Sequence, residues 1–329
     1  MFEIVKSLLV VGAGILGFLA IIGGLYWLAS QLKEPWRERA RVAVFVGPAL
    51  VLLIGLVLPA LINFRYSFND RQGDWYGLGN YKFIFTDENS IIVLRNTVWW
   101  GVVVTVFSTV IGIIIARFAD RMRGEPIAKA LIFLPTAISM VGAGVIWNFV
   151  YSPKQYGLLN SLWQKLPGEQ ETQFWLQDNK FFGVESSFIP GINTFFIMVV
   201  IIWIQAGFST VVISAALKGV PDDLVEAAKI DGATDRQAFY KVVLPYIKGT
   251  IITVATTTTI AVLKIFDIIQ TMGKGGSFDT STIANEMYEQ GFPQDNEGRG
   301  AAWAVLLFLA VVPIVFVNAR NQKAMREGR

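Results

Sequence analysis

The stretch EAAKIDGATDRQAFYKVVLP, residues 226–245, lies between two segments apolar enough to cross a lipid bilayer. Just before it, Pro221 suits the first turn of a helix, where its missing N–H is no loss. Asp222 and Asp223 then place carboxylates at the positive end of the helix dipole. Leu224, Ala227 and Ala228 give this helix an apolar, small-residue stripe on which another surface can lie close, with Glu226 and Lys229 turned toward water. Gly232 supplies the left-handed turn that ends it, and Thr234 with Gln237 three residues on makes a capping box for a second helix over 236–243. Leu244-Pro245 bends the chain as it re-enters the bilayer. The expectation is helix, tight turn, helix. Connections between packed helices need only about 2 to 8 residues, so an ordered hairpin of this length fits a docking element. A loop lying flat on the membrane surface is the plainer alternative.

The rest of the composition sets the medium. With 329 residues, a mean hydropathy of +0.51, 53% hydrophobic and 16% charged residues, the chain is too apolar for an ordinary soluble domain. It reads as a membrane protein. The absence of cysteine and histidine removes thiol nucleophiles, disulfides, Cys/His zinc sites and imidazole acid or base chemistry. A net charge of +3 gives no reason to expect a nucleic-acid partner.

A hydrocarbon core of about 30 Å takes about 20 apolar residues of helix. Seven stretches qualify, at 7–29, 42–62, 97–116, 127–150, 192–214, 247–269 and 301–317. The first is too long for a signal peptide and lacks a clear small-residue cleavage site, so it reads as a retained anchor. Lys33, Arg37, Arg39 and Arg41 follow the first span, Arg117, Arg121, Arg123 and Lys129 follow the third, and Arg320, Lys323, Arg326 and Arg329 form the tail. The alternate links are longer and poorer in positive charge. The positive-inside rule therefore puts the C-terminus and the 226–245 hairpin in the cytoplasm and the N-terminus outside.

The spacing of Glu226-Ala227-Ala228, Gly232, Val242 and Leu244-Pro245 resembles the signature of the permease subunits of binding-protein-dependent ABC importers, with Val242 where isoleucine is commoner. The wider set Pro221, Leu224, Ile230-Asp231-Gly232-Ala233 and Phe239 resembles the sugar-importing branch. Further stretches resemble permeases for maltose and related glucosides: YGLGNYKFIF (76–85), LRNTVWW (94–100), FLPTAIS (133–139), IWNFVYSPKQYGLLN (146–160) and FDIIQTMGKGG (266–276). The additional first helix with its basic link resembles the α-glucoside subgroup. The resemblance implies an all-α polytopic membrane helical bundle, the type I ABC importer transmembrane domain. Residues 1–41 would be an extra helix and cytoplasmic link, and 42–329 a six-span permease core with a coupling hairpin over 219–245. It implies that Glu226, Ala227, Ala228, Asp231, Gly232, Ala233, Leu244 and Pro245 couple the chain to a separate cytoplasmic ATPase. ATP and Mg would be bound by that partner, with no cofactor in this chain. It implies further partners as well: a second homologous permease, two ATPase copies and an extracytoplasmic sugar-binding protein, in a bacterial or archaeal plasma (inner) membrane.

Other signals weigh less. GAGILG (12–17) fits the dinucleotide fingerprint letter for letter, but it lies in an apolar span where small residues let helices pack closely. Ile268 stands where a P-loop ending at Gly273-Lys274 needs glycine, so no Walker A motif is present. Lys264 and Asp267 are spaced to pair on one helix face near the outer end of the sixth span. There they either serve a substrate path or tie the span together. Thr258, in a run of four threonines, offers a hydroxyl to a sugar or merely bonds its own helix, and in the family this span lines the sugar path. Trp147, Asn148 and Tyr151 combine apolar faces with polar edges, which suits a pyranose ring and equally suits a membrane interface. The outer links, with Trp163, Trp175, Phe181 and Phe182, fit a surface for a binding protein or a small folded cap.

A membrane-integral glycosyl or phosphoryl transferase is the rival reading. It needs clustered carboxylates, and the nearest approach, Asp222, Asp223 and Asp231, is better used at helix ends. The sugar itself is left open among α-glucosides, maltose, maltodextrin and trehalose.

Overall fold

The computed structural model describes residues 2–34, 36–120, 122–154, 156–166, 171–184, 186–273 and 279–327. Arg121, Gln155, Lys274, Gly275, Gly276 and Arg329, named above, lie outside them. The described residues form helices and no β-strand; only two isolated bridges occur, Asn69 with Trp75 and Phe181 with Val184. Two compact units divide the chain, Met1–Arg65 and Tyr66–Arg329.

The first unit holds α1 (Phe2–Ser30) and α2 (Trp36–Tyr66). Within it the Tyr26 and Phe45 rings meet at 5.7 Å and the Arg41 guanidinium lies 5.3 Å from the Tyr26 ring centre. Pro48 and Pro59 sit inside α2, as spanning helices tolerate.

The second unit is built on three long or bent spans. α4 (Glu88–Ala119) and α8 (Ile192–Lys218) pack side by side, and α12 (Lys248–Leu263) crosses α4. Small residues set the spacing, because close packing rather than hydrophobic exclusion joins helices in lipid. A Cβ on Gly112 would lie 2.5 Å from the Ser209 Cβ, and one on Gly207 would lie 2.4 Å from the Ile132 carbonyl oxygen of α5 (Glu125–Phe133). The Thr105 and Thr259 hydroxyls hydrogen-bond at 2.9 Å between α4 and α12. Around this centre Trp100, Ile197, Met198, Ile201, Ile268 and Ile269 form a buried core.

Five helices among the described residues are long and apolar enough to cross a membrane, and seven spans result if each of two bent pairs counts as one. The fourth expected span, 127–150, is not one helix. Segments Glu125–Ala137 and Met140–Val150 meet at 100°. Pro135 has no N–H to continue the ladder, Ile138 is extended, and the Ser139 hydroxyl accepts from the Gly142 N–H to start α6 (Met140–Val150). The sixth, 247–269, stops at Leu263. Lys264 and Phe266 leave helical geometry, and α13 begins at Asp267 (Asp267–Met272). At the break the buried Thr282 hydroxyl, in the cap of α14 (Ile283–Gly291), donates to the Ile265 carbonyl at 3.2 Å, while the Phe266 carbonyl, bonded by the Gln270 N–H at 3.0 Å, also accepts from the buried Asn285 amide at 3.5 Å. The chain closes with α15 (Glu297–Arg326). α3 (Gly79–Thr86) and α7 (Leu158–Trp163) are short helices in the links.

Gly207→Val should cost about 1–3 kcal/mol through overpacking, measured by denaturant unfolding of the detergent-purified chain. Gly101→Ala, whose Cβ would meet nothing nearer than 3.7 Å, should stay within about 0.5 kcal/mol of the parent.

Candidate functional site

The 226–245 stretch folds as two arms about a single glycine. α9 (Asp222–Ile230) starts after Pro221, which stands in the cap position one residue earlier than the sequence placed it. At its end Gly232 takes φ +85°. The Ala233 N–H donates to the Ala228 carbonyl at 2.9 Å and the Gly232 N–H to Lys229 at 3.0 Å, the paired closure that satisfies a helix's last carbonyls. The second arm opens with the expected capping box. The Gln237 N–H donates to the Thr234 hydroxyl at 3.3 Å, and the Thr234 N–H donates to the Gln237 side chain at 2.8 Å. A Lys229–Asp235 ion pair at 2.9 Å spans the turn.

After α10 (Asp235–Ala238) the ladder widens to a π-turn over Phe239–Val243, in which the Leu244 N–H reaches the Phe239 carbonyl. Pro245, in α11 (Leu244–Tyr246), offers no N–H to that turn, a common setting for such a bulge. The chain bends by 66° one residue beyond Tyr246, at Ile247 rather than at Pro245 itself.

No residue of α9 is buried, and Ile230 is 86% exposed and Leu224 41% exposed. The hairpin's roots are fixed instead. Val220 and Leu244 pack on the buried Ala116, Ile213, Ile247 and Val254, and the Arg117 guanidinium at the foot of α4 lies 3.9 Å from the centre of the buried Phe239 ring. Beside these roots Lys129 bonds Asp120 at 2.5 Å, Glu125 at 2.6 Å and the Ser214 hydroxyl. Lys218 also reaches Glu125. This knot ties α4, α5 and α8 together. The sequence reading counted Lys129 only as topological charge; its four-residue spacing from Glu125 was the available signal.

Four of the six remaining candidates line two cavities. One, of about 110 Å³, is lined by Met140, Gln205, Lys264 and Asp267 among others. Lys264 and Asp267 therefore share a cavity, but the helix breaks between them and no ion pair joins them. Gln205, a polar side chain in the apolar run of α8, was not singled out from sequence, although its placement in a span was the clue. A second cavity of about 280 Å³ is lined by Asn148, Tyr151, Trp175, Gln177 and Thr271 among others. Trp147 is among the lining residues of neither. It packs at a tilt on Tyr151 at 5.3 Å and edge-on to Trp203 at 5.6 Å. Thr258 is buried, and its hydroxyl has no hydrogen-bond partner among the described residues. The described residues contain no grouping of three or more Asp, Glu, His or Cys able to hold a metal.

The family described as binding-protein-dependent transport system inner membrane component matches residues 20–326. The chain belongs to this family. Two relatives of this permease are the osmoprotective compounds uptake permease protein GgtC of Synechocystis and the alpha-glucoside transport system permease protein AglF of Rhizobium meliloti. The first is 42% identical over 293 residues, covering 87% of this chain and 100% of the relative. The second is 42% identical over 309 residues, covering 92% and 85%. The permease also shares its fold with a chain of a bacterial ABC transporter that imports alginate, with a TM-score of 0.72 and 19% identity over 88% of this chain and 99% of that one.

In this permease Gly232→Ala forces a Cβ into the left-handed region at a cost of about 1–2 kcal/mol. Trypsin cleavage at the exposed Lys229 and Arg236 should accelerate about fivefold or more, while the spanning helices keep their protection.

Proposed function

We propose that this permease is the non-catalytic membrane subunit of an ATP-driven importer for a sugar, an α-glucoside, maltose, maltodextrin or trehalose, working by alternating access. Residues 42–329 form the permease core and 1–41 an appended anchor and link. The core acts with a second homologous permease, two cytoplasmic ATPase chains that hold ATP and Mg, and an extracytoplasmic sugar-binding protein. The assembly sits in a bacterial or archaeal inner membrane, with the C-terminus and the 219–245 hairpin in the cytoplasm.

The observation that carries this reading is the hairpin: a helix with no buried residue and an 86% exposed Ile230, held on rigid roots. An exposed apolar tip on an ordered arm is a surface awaiting a protein partner. Glu226, Ala227, Ala228 and Asp231 meet the ATPase, Gly232 and Ala233 form the turn, and Leu244 with Pro245 carry displacement into α12. ATP-driven closure of the ATPase pair pulls this arm and, through Phe239 and Arg117, tilts α4 and α12 together. The name of the alpha-glucoside permease relative AglF, and the mixture of amide, aromatic and hydroxyl groups at Asn148, Tyr151 and Thr258, support a sugar as the cargo. Lys264 and Asp267 line that path near the outer end of the sixth span, with Trp147 backing it.

Glu226→Lys places a cation at the docking face. Co-purification of the ATPase and ATP-dependent sugar uptake should both fall by at least about tenfold, the scale of truncating a well-buried interface contact. Unchanged uptake counts against the docking role. Since the chain has no cysteine, single substitutions report sidedness. An impermeant maleimide should label Gln237→Cys only in inside-out vesicles and Phe182→Cys only in right-side-out ones.

A further inference from the structure

The two cavities lie along one pair of packed helices. α6 carries Met140 at the smaller cavity and Asn148 at the larger, and α13 carries Asp267 at the smaller and Thr271 at the larger. The helices touch where Gly144 leaves no room: a Cβ there would lie 2.8 Å from the Thr271 Cγ2. The Asn148 amide donates to the Thr271 carbonyl at 3.0 Å. With Thr271 four positions after Asp267, the two levels are about 6 Å apart along the helix.

The larger cavity has a different chemistry from the smaller. Among the described residues no charged side chain lines it; its walls are Asn148, Tyr151, Ser152, Phe174, Trp175, Gln177 and Thr271 with a few apolar neighbours. Amides, a hydroxyl and aromatic rings without a charge select a neutral, polyhydroxylated ligand with an apolar face. At about 280 Å³ the cavity lies just under the range of about 300–1,000 Å³ usual for drug-sized ligands, which suits one sugar ring better than a chain of them.

The outer wall is fixed before any ligand arrives. Asn160, 2% exposed, donates to the Ser152 carbonyl at 3.0 Å and the Gln173 carbonyl at 2.9 Å, and accepts from the Gln173 N–H at 2.8 Å. One buried amide thus clamps the 171–177 segment across the end of α6. Behind it, the Tyr151 hydroxyl donates to the Phe196 carbonyl at 3.1 Å, and Trp175 packs edge-on to Phe196 at 5.2 Å. A prebuilt wall of this kind lowers the ordering cost of binding.

We propose that this cavity is a second sugar subsite, which takes a single neutral pyranose ring at the outer mouth and passes it along α6 and α13 to the cavity beside Lys264 and Asp267. The proposal rests on the sugar-importer reading above. It assigns binding roles to Phe174, Trp175, Gln177 and Thr271 in addition to Asn148 and Tyr151.

The test is the complete importer, reconstituted in vesicles with its ATPase and binding protein and offered radiolabelled maltose, trehalose or sucrose. Phe174 and Gln177 are exposed, so Gln177→Ala and Phe174→Ala leave the core intact, and Trp175→Phe keeps the packing. Each should lower sugar taken up per ATP hydrolysed by about threefold to tenfold, the scale of one lost ligand contact, with ATP hydrolysis stimulated by the loaded binding protein retained. Unchanged uptake in all three variants overturns the subsite. A parallel loss of uptake and of stimulated ATP hydrolysis also overturns it, and makes the 171–177 segment a docking surface for the binding protein. If the unmutated importer takes up none of the three sugars, the sugar reading itself fails and the subsite falls with it.

Discussion

Inside hydrocarbon a backbone N–H or C=O without a partner costs several kcal/mol, so a chain leaves helical geometry there only where protein or a cavity receives the freed groups. This permease breaks two of its spans, at Ile138-Ser139 and at Lys264 to Phe266, and both breaks border the same small cavity. The arrangement explains residues that otherwise look misplaced. Thr282 and Asn285, polar and buried, hold the carbonyls of Ile265 and Phe266. Ser139 caps the helix that starts after the first break. These three side chains help make the two broken helices tolerable.

The same constraint shapes the hairpin at 219–245. It lies beyond the long span helices, so its polar groups close on one another through the Gly232 turn and the Thr234–Gln237 box, and Leu224 and Ile230 of its first arm stay outward. What fixes it is the root: Arg117 on Phe239, Leu244 and Val220 on the buried α4–α8–α12 cluster, and the Asp120–Lys129–Glu125 knot alongside. A stiff arm on a fixed root transmits a push, where a loose loop of equal length would absorb it.

Much of this was legible in the sequence. Long apolar runs gave the spans, because lipid demands them whatever the tertiary packing. The hairpin was legible because its signals are local: Gly232 at a positive φ and Thr234 with Gln237 act within four residues. The second break was not, because apolar composition averaged over a window cannot register a carbonyl whose partner lies 17 residues away, as for Ile265 with Thr282. The pairing of Lys264 with Asp267 on one face presumed a helix that stops at Leu263. Pro135 did carry a readable warning of the first break. The outer cavity depends on Asn160 reaching Gln173, a contact that no periodicity announces.

We propose that the arm around Gly232 docks on a nucleotide-driven partner. Hydrogen exchange on the purified permease, alone and with its ATPase, tests this most directly. Amides over 222–238 should become strongly protected when the ATPase binds, with those of the outer segment 171–184 unchanged. If 222–238 exchanges equally fast in both states while the two proteins are bound to each other, the hairpin is not where force enters the bundle.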